Sequence, residues 1–172
     1  DAFELYKKAL SLSPNSATIH YNIGTMFLKS MKPEDAKFWL EKTVVLQENH
    51  ANAWNSLGVA LTDLGNLKGA MDAYLKAIEC DPDFIEPYFN SHTALIDLGK
   101  TGEAISMLEK AALLEPSNPV YSFFQGMVQE FLVDSKLGRE MIEGLAKNTD
   151  VQAEIESWEH LKSLNLKTAI LA

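Results

Sequence analysis

One spacing constrains this chain more than any other. Ala2, Ala36, Ala70 and Ala104 follow one another at intervals of 34 residues, and Gly138 continues the series. A period of about 20–50 residues marks stacked supersecondary units, and 34 suits a unit of two helices. Such a chain builds a surface rather than an enclosed active site, so the period points to a binding module and leaves its partner unnamed.

The register holds at other positions. With repeats started at Ala17, Ala51, Ile85 and Pro119, the eighth residue reads Gly24, Gly58, His92 and Gly126. The 24th reads Leu40, Tyr74, Leu108 and Ile142, and the 32nd reads Glu48, Pro82, Pro116 and Asp150, with Pro14 before them. Small residues at positions 8 and 20 let two helices approach closely, and large ones at 4, 7, 11 and 24 fill the space between repeats. Proline at 32 ends the second helix, because it lacks an N–H and disfavours α geometry in the residue before it.

The pattern predicts helices near 2–13, 17–30, 34–47, 52–64, 68–80, 86–98, 102–114 and 120–133. Gly65 and Gly99 follow first helices and are expected in left-handed geometry; Met31 occupies the matching site, with Pro33 opening the next helix. Asn118–Pro119 is a cap-then-proline start. Beyond it, Gly138 and Gly144 weaken the helix that follows. Val151, Ile155, Trp158 and Leu161 then share one stripe, which makes 151–165 amphipathic. A repeat array needs a terminal cap with an apolar inner face. This segment is expected to cap the array, the alternative being a docking helix for a partner or a second copy.

The residues of 51–82, with Trp54, Leu57, Gly58, Leu61, Gly65, Ala70, Tyr74, Ala77 and Pro82 at signature positions, resemble the tetratricopeptide repeat family. The resemblance covers residues 1 to about 145. It implies an all-α, right-handed superhelical solenoid of antiparallel helix pairs. The expected organisation is a half repeat at 1–16, repeats at 17–50, 51–84 and 85–118, a divergent repeat at 119–150, and a C-terminal capping helix and tail at 151–172. Residues 1–14 look like a second helix alone, and there is no initiator Met, so the chain is expected to start inside a solenoid.

The resemblance also implies that first helices line a concave groove. Its candidate binding residues are Tyr21, Asn22 and Thr25; Asn52, Asn55, Ser56 and Thr62; Phe89, Asn90, Thr93 and Asp97; and Phe123, Phe124 and Met127. Spacings of three and four put such residues on one helical face. Amide side chains both donate and accept, which suits the backbone of an extended peptide. Asn22 and Asn90 share position 6 with the asparagine ladder of the family's glycosyltransferases, but Ser56 interrupts the series. Where relatives clamp a terminal carboxylate with several cations, this chain has Tyr21, Thr25, Ser56, Glu86 and Asn90. An acidic chaperone tail is therefore not expected to bind. The bland readings are that the Asn residues are only solvated, and that Phe123, Phe124, Met127 and Phe131 are core under 151–165.

No catalytic residue, metal site or cofactor is expected. His20, His50, His92 and His160 show no ligand spacing with one another or with Cys80. No phosphate loop or nucleophile motif appears. His20 and His92, replacing Trp and Gly, read as packing residues, His92 either spreading the helices or bonding inside. Cys80 reads as a small buried hydrophobe. The net charge of −9 and a single arginine, Arg139, argue against nucleic acid. They favour a neutral or basic protein or peptide partner, beside the bland reading of a solvated acidic surface. No apolar run reaches the roughly 18 residues of a membrane span, so direct membrane insertion is not expected. One cysteine excludes an internal disulfide and leans towards a reducing, cytoplasmic compartment. Three functions remain open: a non-catalytic scaffold or adaptor gripping a peptide or partner helix, a structural protein forming homo-oligomers through its solenoid ends, and a substrate-recruiting arm of a larger enzyme.

Overall fold

A computed structural model describes residues 2–132, all of whose regular elements are helices. These are α1 (Ala2–Leu12), α2 (Ala17–Lys29), α3 (Pro33–Leu46), α4 (Ala51–Asp63), α5 (Leu67–Cys80), α6 (Ile85–Asp97), α7 (Thr101–Leu114) and α8 (Pro119–Leu132). Each lies within a residue or two of the range its pattern predicts. The second half of the fourth repeat, the capping helix expected at 151–165 and the tail fall outside the described residues.

The chain divides into two compact units, residues 1–107 and 108–172, and the break falls inside α7. In the first unit each helix from α1 to α6 packs against the next, and α4 also touches α2 and α6. The first helices of successive repeats are therefore neighbours. One buried cluster joins Ala36, Leu40, Val44, Ala53, Leu57, Ala60, Leu61, Ala70, Ala73 and Tyr74. The crossings depend on the eighth residue of each repeat. A Cβ at Gly24 would lie 2.7 Å from Leu40 Cγ, and one at Gly58 would lie 2.5 Å from Tyr74 Cε1.

One turn recurs after each first helix. Lys32, Asn66 and Lys100 donate their N–H to Phe27, Leu61 and Leu95, while Met31, Gly65 and Gly99 donate theirs to Leu28, Thr62 and Ile96. This pair of bonds is the Schellman motif, which needs a left-handed residue just after the helix. Gly65 and Gly99 both have φ 72, and Met31 adopts φ 54 despite its side chain. The turns between repeats also agree: His50 N–H reaches Gln47, and Phe84 N–H reaches Asp81.

Neighbouring repeats are tied by an aromatic side chain. Trp54 Nε1 donates to the Glu48 carbonyl at 2.7 Å, and the Tyr88 hydroxyl donates to the Pro82 carbonyl at 3.1 Å. Both donors stand fourth in their repeat, and both acceptors stand 32nd in the repeat before. His20, at the same position in the first full repeat, bonds Ser16 O through Nδ1 at 2.8 Å and packs on Trp39 at 5.5 Å. Its role is packing, as its register predicts. His92 is buried and bonds the Phe89 carbonyl through Nδ1, so of its two expected outcomes it bonds inside. Burial pushes its pKa down.

Cys80 departs from expectation. It is half-exposed rather than buried, because the last turn of α5 faces the loop before α4. Its Sγ lies 3.6 Å from the Glu48 carbonyl that also receives Trp54. Burial, and then the nearby Glu79, hold the thiol above its ordinary pKa, which disfavours the reactive thiolate.

Candidate functional site

Eleven of the fourteen candidate residues lie in the first unit, on α2, α4 and α6. Tyr21, Asn22 and Thr25 stand on α2, and Asn52, Asn55, Ser56 and Thr62 on α4. Phe89, Asn90, Thr93 and Asp97 stand on α6.

The central feature is an amide pair. Asn90 Nδ2 donates to Asn55 Oδ1 at 3.1 Å, which ties α6 to α4 across one repeat. A ladder at position 6 alone therefore does not describe these residues. Asn90 pairs with the position 5 amide of the preceding repeat. The pair uses the Asn55 oxygen and one Asn90 N–H, so the Asn55 NH2 can still donate and the Asn90 side-chain oxygen can still accept. Asn52 and Thr93 are exposed, and Asn22 and Ser56 half-buried.

Other candidates are engaged inside the fold. Thr62 Oγ1 donates to the Gly58 carbonyl at 3.0 Å and lies 3.3 Å from the Tyr74 hydroxyl. Burial pushes the Tyr74 pKa up to about 12, the Thr62 bond opposing and Asp63 adding to the shift. Thr25 Oγ1 donates to the Asn22 carbonyl at 3.1 Å. The Tyr21 ring packs against the core and stacks on His50, with centroids 4.8 Å apart. His50 in turn caps α4, its Nδ1 accepting the Ala53 N–H at 3.3 Å. The Phe89 ring lies 5.0 Å from that of His92.

The remaining three candidates belong to the second unit, on α8. Phe123 is 0% exposed and meets Phe124 edge-on at 5.8 Å. Phe123 is thus a packing residue and offers no face to a partner, while Phe124 is half-buried. The Met127 side chain lies outside the described residues.

Pattern reading missed Tyr6. This residue of α1 closes a hollow of about 300 Å³ lined also by Asn22, Thr25, Met26, Lys29 and Ser30. The register sets Tyr6 at the 24th position, 34 residues before Leu40, with the large residues that fill the space between repeats and not with the groove positions. Among the described residues no group of three His, Cys, Asp or Glu side chains could hold a metal ion, and no helix is long and apolar enough to cross a membrane.

Residues 51–84 and 87–118 each match the tetratricopeptide repeat. The chain carries tetratricopeptide repeats over these residues. Over 109 residues it is 28% identical to a peroxisomal targeting signal receptor of Candida albicans, a match covering 61% of the chain and 18% of that receptor. Over 161 residues it is 27% identical to the human protein O-mannosyl-transferase TMTC3, covering 91% of the chain and 17% of the transferase. The chain thus spans less than a fifth of either relative. Among solved structures it resembles MamA, with a TM-score of 0.73, 27% identity and coverage of 86% of this chain and 85% of that one.

Proposed function

We propose that this chain is a non-catalytic protein–protein interaction module, a scaffold or adaptor that holds an extended peptide segment or partner helix on the α2–α4–α6 face. The observation that carries the reading is the Asn55–Asn90 bridge, which presents a donor and an acceptor side by side on two neighbouring helices. Asn52, Ser56 and Thr93 extend the same face with polar groups that have no hydrogen-bond partner among the described residues. Repeats of this family and a relative named as a receptor support a protein partner. The chain's net charge of −9 favours one that is neutral or basic overall. The half repeat at 1–16, the three repeats that follow and the divergent repeat at 119–150 are the proposed organisation of this module.

A second reading is a recruiting arm within a larger enzyme. The match to a transferase across most of the chain supports it. In both readings the face does the binding.

The test is affinity capture on baits matched for melting temperature: the native chain, Asn52→Ala, Asn55→Ala/Asn90→Ala and a second-helix control. Asn52 is exposed, so its truncation changes stability by less than about 0.5 kcal/mol. A prey recovered at least tenfold less on both variants, and unchanged on a second-helix control such as Val45→Thr, identifies the face as the binding site. Equal recovery on all baits rejects it.

A further inference from the structure

The first helices distribute charge unevenly. Across α2, α4, α6 and α8 the sequence contains one Lys or Arg, Lys29. At the same place in their repeats, α4 and α6 carry Asp63 and Asp97. Lys29 does not offset those carboxylates directly, since it forms no ion pair among the described residues; the described pairs are Glu4–Lys7, Lys37–Glu41, Lys76–Glu79 and Lys100–Glu103.

Lys29 instead lines the hollow at the α1 end of the face. Two hydroxyls there already donate within α2 and its cap, Thr25 to the Asn22 carbonyl and Ser30 to the Met26 carbonyl. Three donors remain: the Lys29 ammonium, the Asn22 amide and the Tyr6 hydroxyl. None has a hydrogen-bond partner among the described residues. An ammonium, an amide and a phenol around one hollow match the two oxygens and single charge of a carboxylate. A phosphate, at about −1.5 to −2, would leave excess negative charge beside one lysine in an acidic protein.

We propose that this hollow is a carboxylate-accepting subsite, which takes an Asp or Glu side chain of the bound segment. The proposal rests on the peptide-face reading and sharpens it. A partner that is neutral or basic overall still carries one acid, placed to meet Lys29. The polar face continues from this end across α4 and α6, so the acid belongs to a side chain of a segment that runs on past the hollow. The chain's net charge of −9 repels acidic peptides in general, so selection of an acid must come from a local site.

A library of random dodecapeptides, displayed as internal segments without a free carboxyl terminus, tests this. It is panned against the native chain, Lys29→Gln and Asn52→Ala. Lys29 is exposed, and its substitution leaves the fold intact. The expected result is at least fourfold enrichment of Asp or Glu at one position on the native chain, absent on Lys29→Gln. Replacing that acid by its amide in a selected peptide should weaken binding about three- to tenfold on the native chain and less than twofold on Lys29→Gln. Binders without the enrichment, or enrichment that survives Lys29→Gln, overturn the subsite while leaving the face standing. Acid-dependent binders indifferent to Asn52→Ala keep the subsite and remove the wider face. An absence of any binder overturns both.

Discussion

In the repeat at 17–50, Gly24 seats against Leu40, and Leu28 lies on the same first helix. In the repeat at 51–84, Gly58 seats against Tyr74, and Thr62 stands where Leu28 stood. Leu40 is 0% exposed and Tyr74 1%, so both large residues are equally enclosed. The difference lies in what the larger one brings. A buried phenol needs a hydrogen-bond partner, and Thr62 supplies it at 3.3 Å. Leu40 needs none, and the residue at position 12 there is the apolar Leu28. The two repeats thus keep one backbone by changing positions 12 and 24 together. They differ likewise at their ends. Gly65 takes the left-handed turn at φ 72, whereas Met31 takes it at φ 54. Ser16 caps α2 through its hydroxyl, and His50 caps α4 through Nδ1.

Removing the larger wedge should have the largest effect. Tyr74→Ala leaves a hole and strips Thr62 of a partner, with an expected loss of about 3–5 kcal/mol by urea denaturation. Leu40→Ala should cost about 2–5 kcal/mol and leave no polar group orphaned. A Tyr74→Ala loss below that of Leu40→Ala would contradict the co-variation. Adding a methyl at the crossings comes next. Gly58→Ala forces a Cβ onto a buried ring, with an expected net loss of about 1–3 kcal/mol even after the helix-propensity gain of about 1 kcal/mol. Gly24→Ala should lose less, because an aliphatic branch yields more readily than a ring; equal losses would show that the backbones move apart instead.

A smaller effect, of opposite sign, is expected at the turn. Met31 is 83% exposed, so its side chain contributes little packing. Met31→Gly removes left-handed strain of about 1–2 kcal/mol and adds unfolded-state entropy, for a net gain of about 0.5–1 kcal/mol. Thermal melts of this variant and of Gly65→Ala should shift in opposite directions.

The smallest effect concerns pH. Burial holds the His50 pKa below its ordinary value of 6.5. As pH falls through 6.5 the unfolded chain therefore takes up the proton first. The stability that neutral His50 contributes is complete above that value and declines below it; protonation also removes the lone pair that caps α4. His50→Ser gives the second repeat the non-titrating cap of the first. Its stability at pH 7 should change little, and its decline towards pH 5 should be shallower, the remaining slope including buried His92. An unchanged slope would remove His50 from the account.

Part of the candidate face was legible in the residues, and part was not. Asn55 and Asn90 could be placed on first helices because a helix keeps a fixed angle per residue. That they bond to each other could not, because they are 35 residues apart and meet only through the stacking of repeats. Phe123 carried the same groove register as Phe89, yet it is buried and Phe89 only half-buried. Periodicity gives a residue's direction on its helix and is silent on what covers it. Tyr6 was missed because the hollow draws on a second helix, outside the positions that a groove pattern inspects.

The sequence by itself determined the repeat length, the helix limits, the left-handed turns and the small-against-large crossings. All of these follow from local geometry and a register that repeats every 34 residues. Only the tertiary structure decided which carbonyl Trp54 and Tyr88 reach, that Cys80 faces a loop, and that Lys29, Asn22 and Tyr6 share one hollow. Those outcomes depend on the distance and angle between packed helices, where a shift of about 1 Å makes or breaks a hydrogen bond.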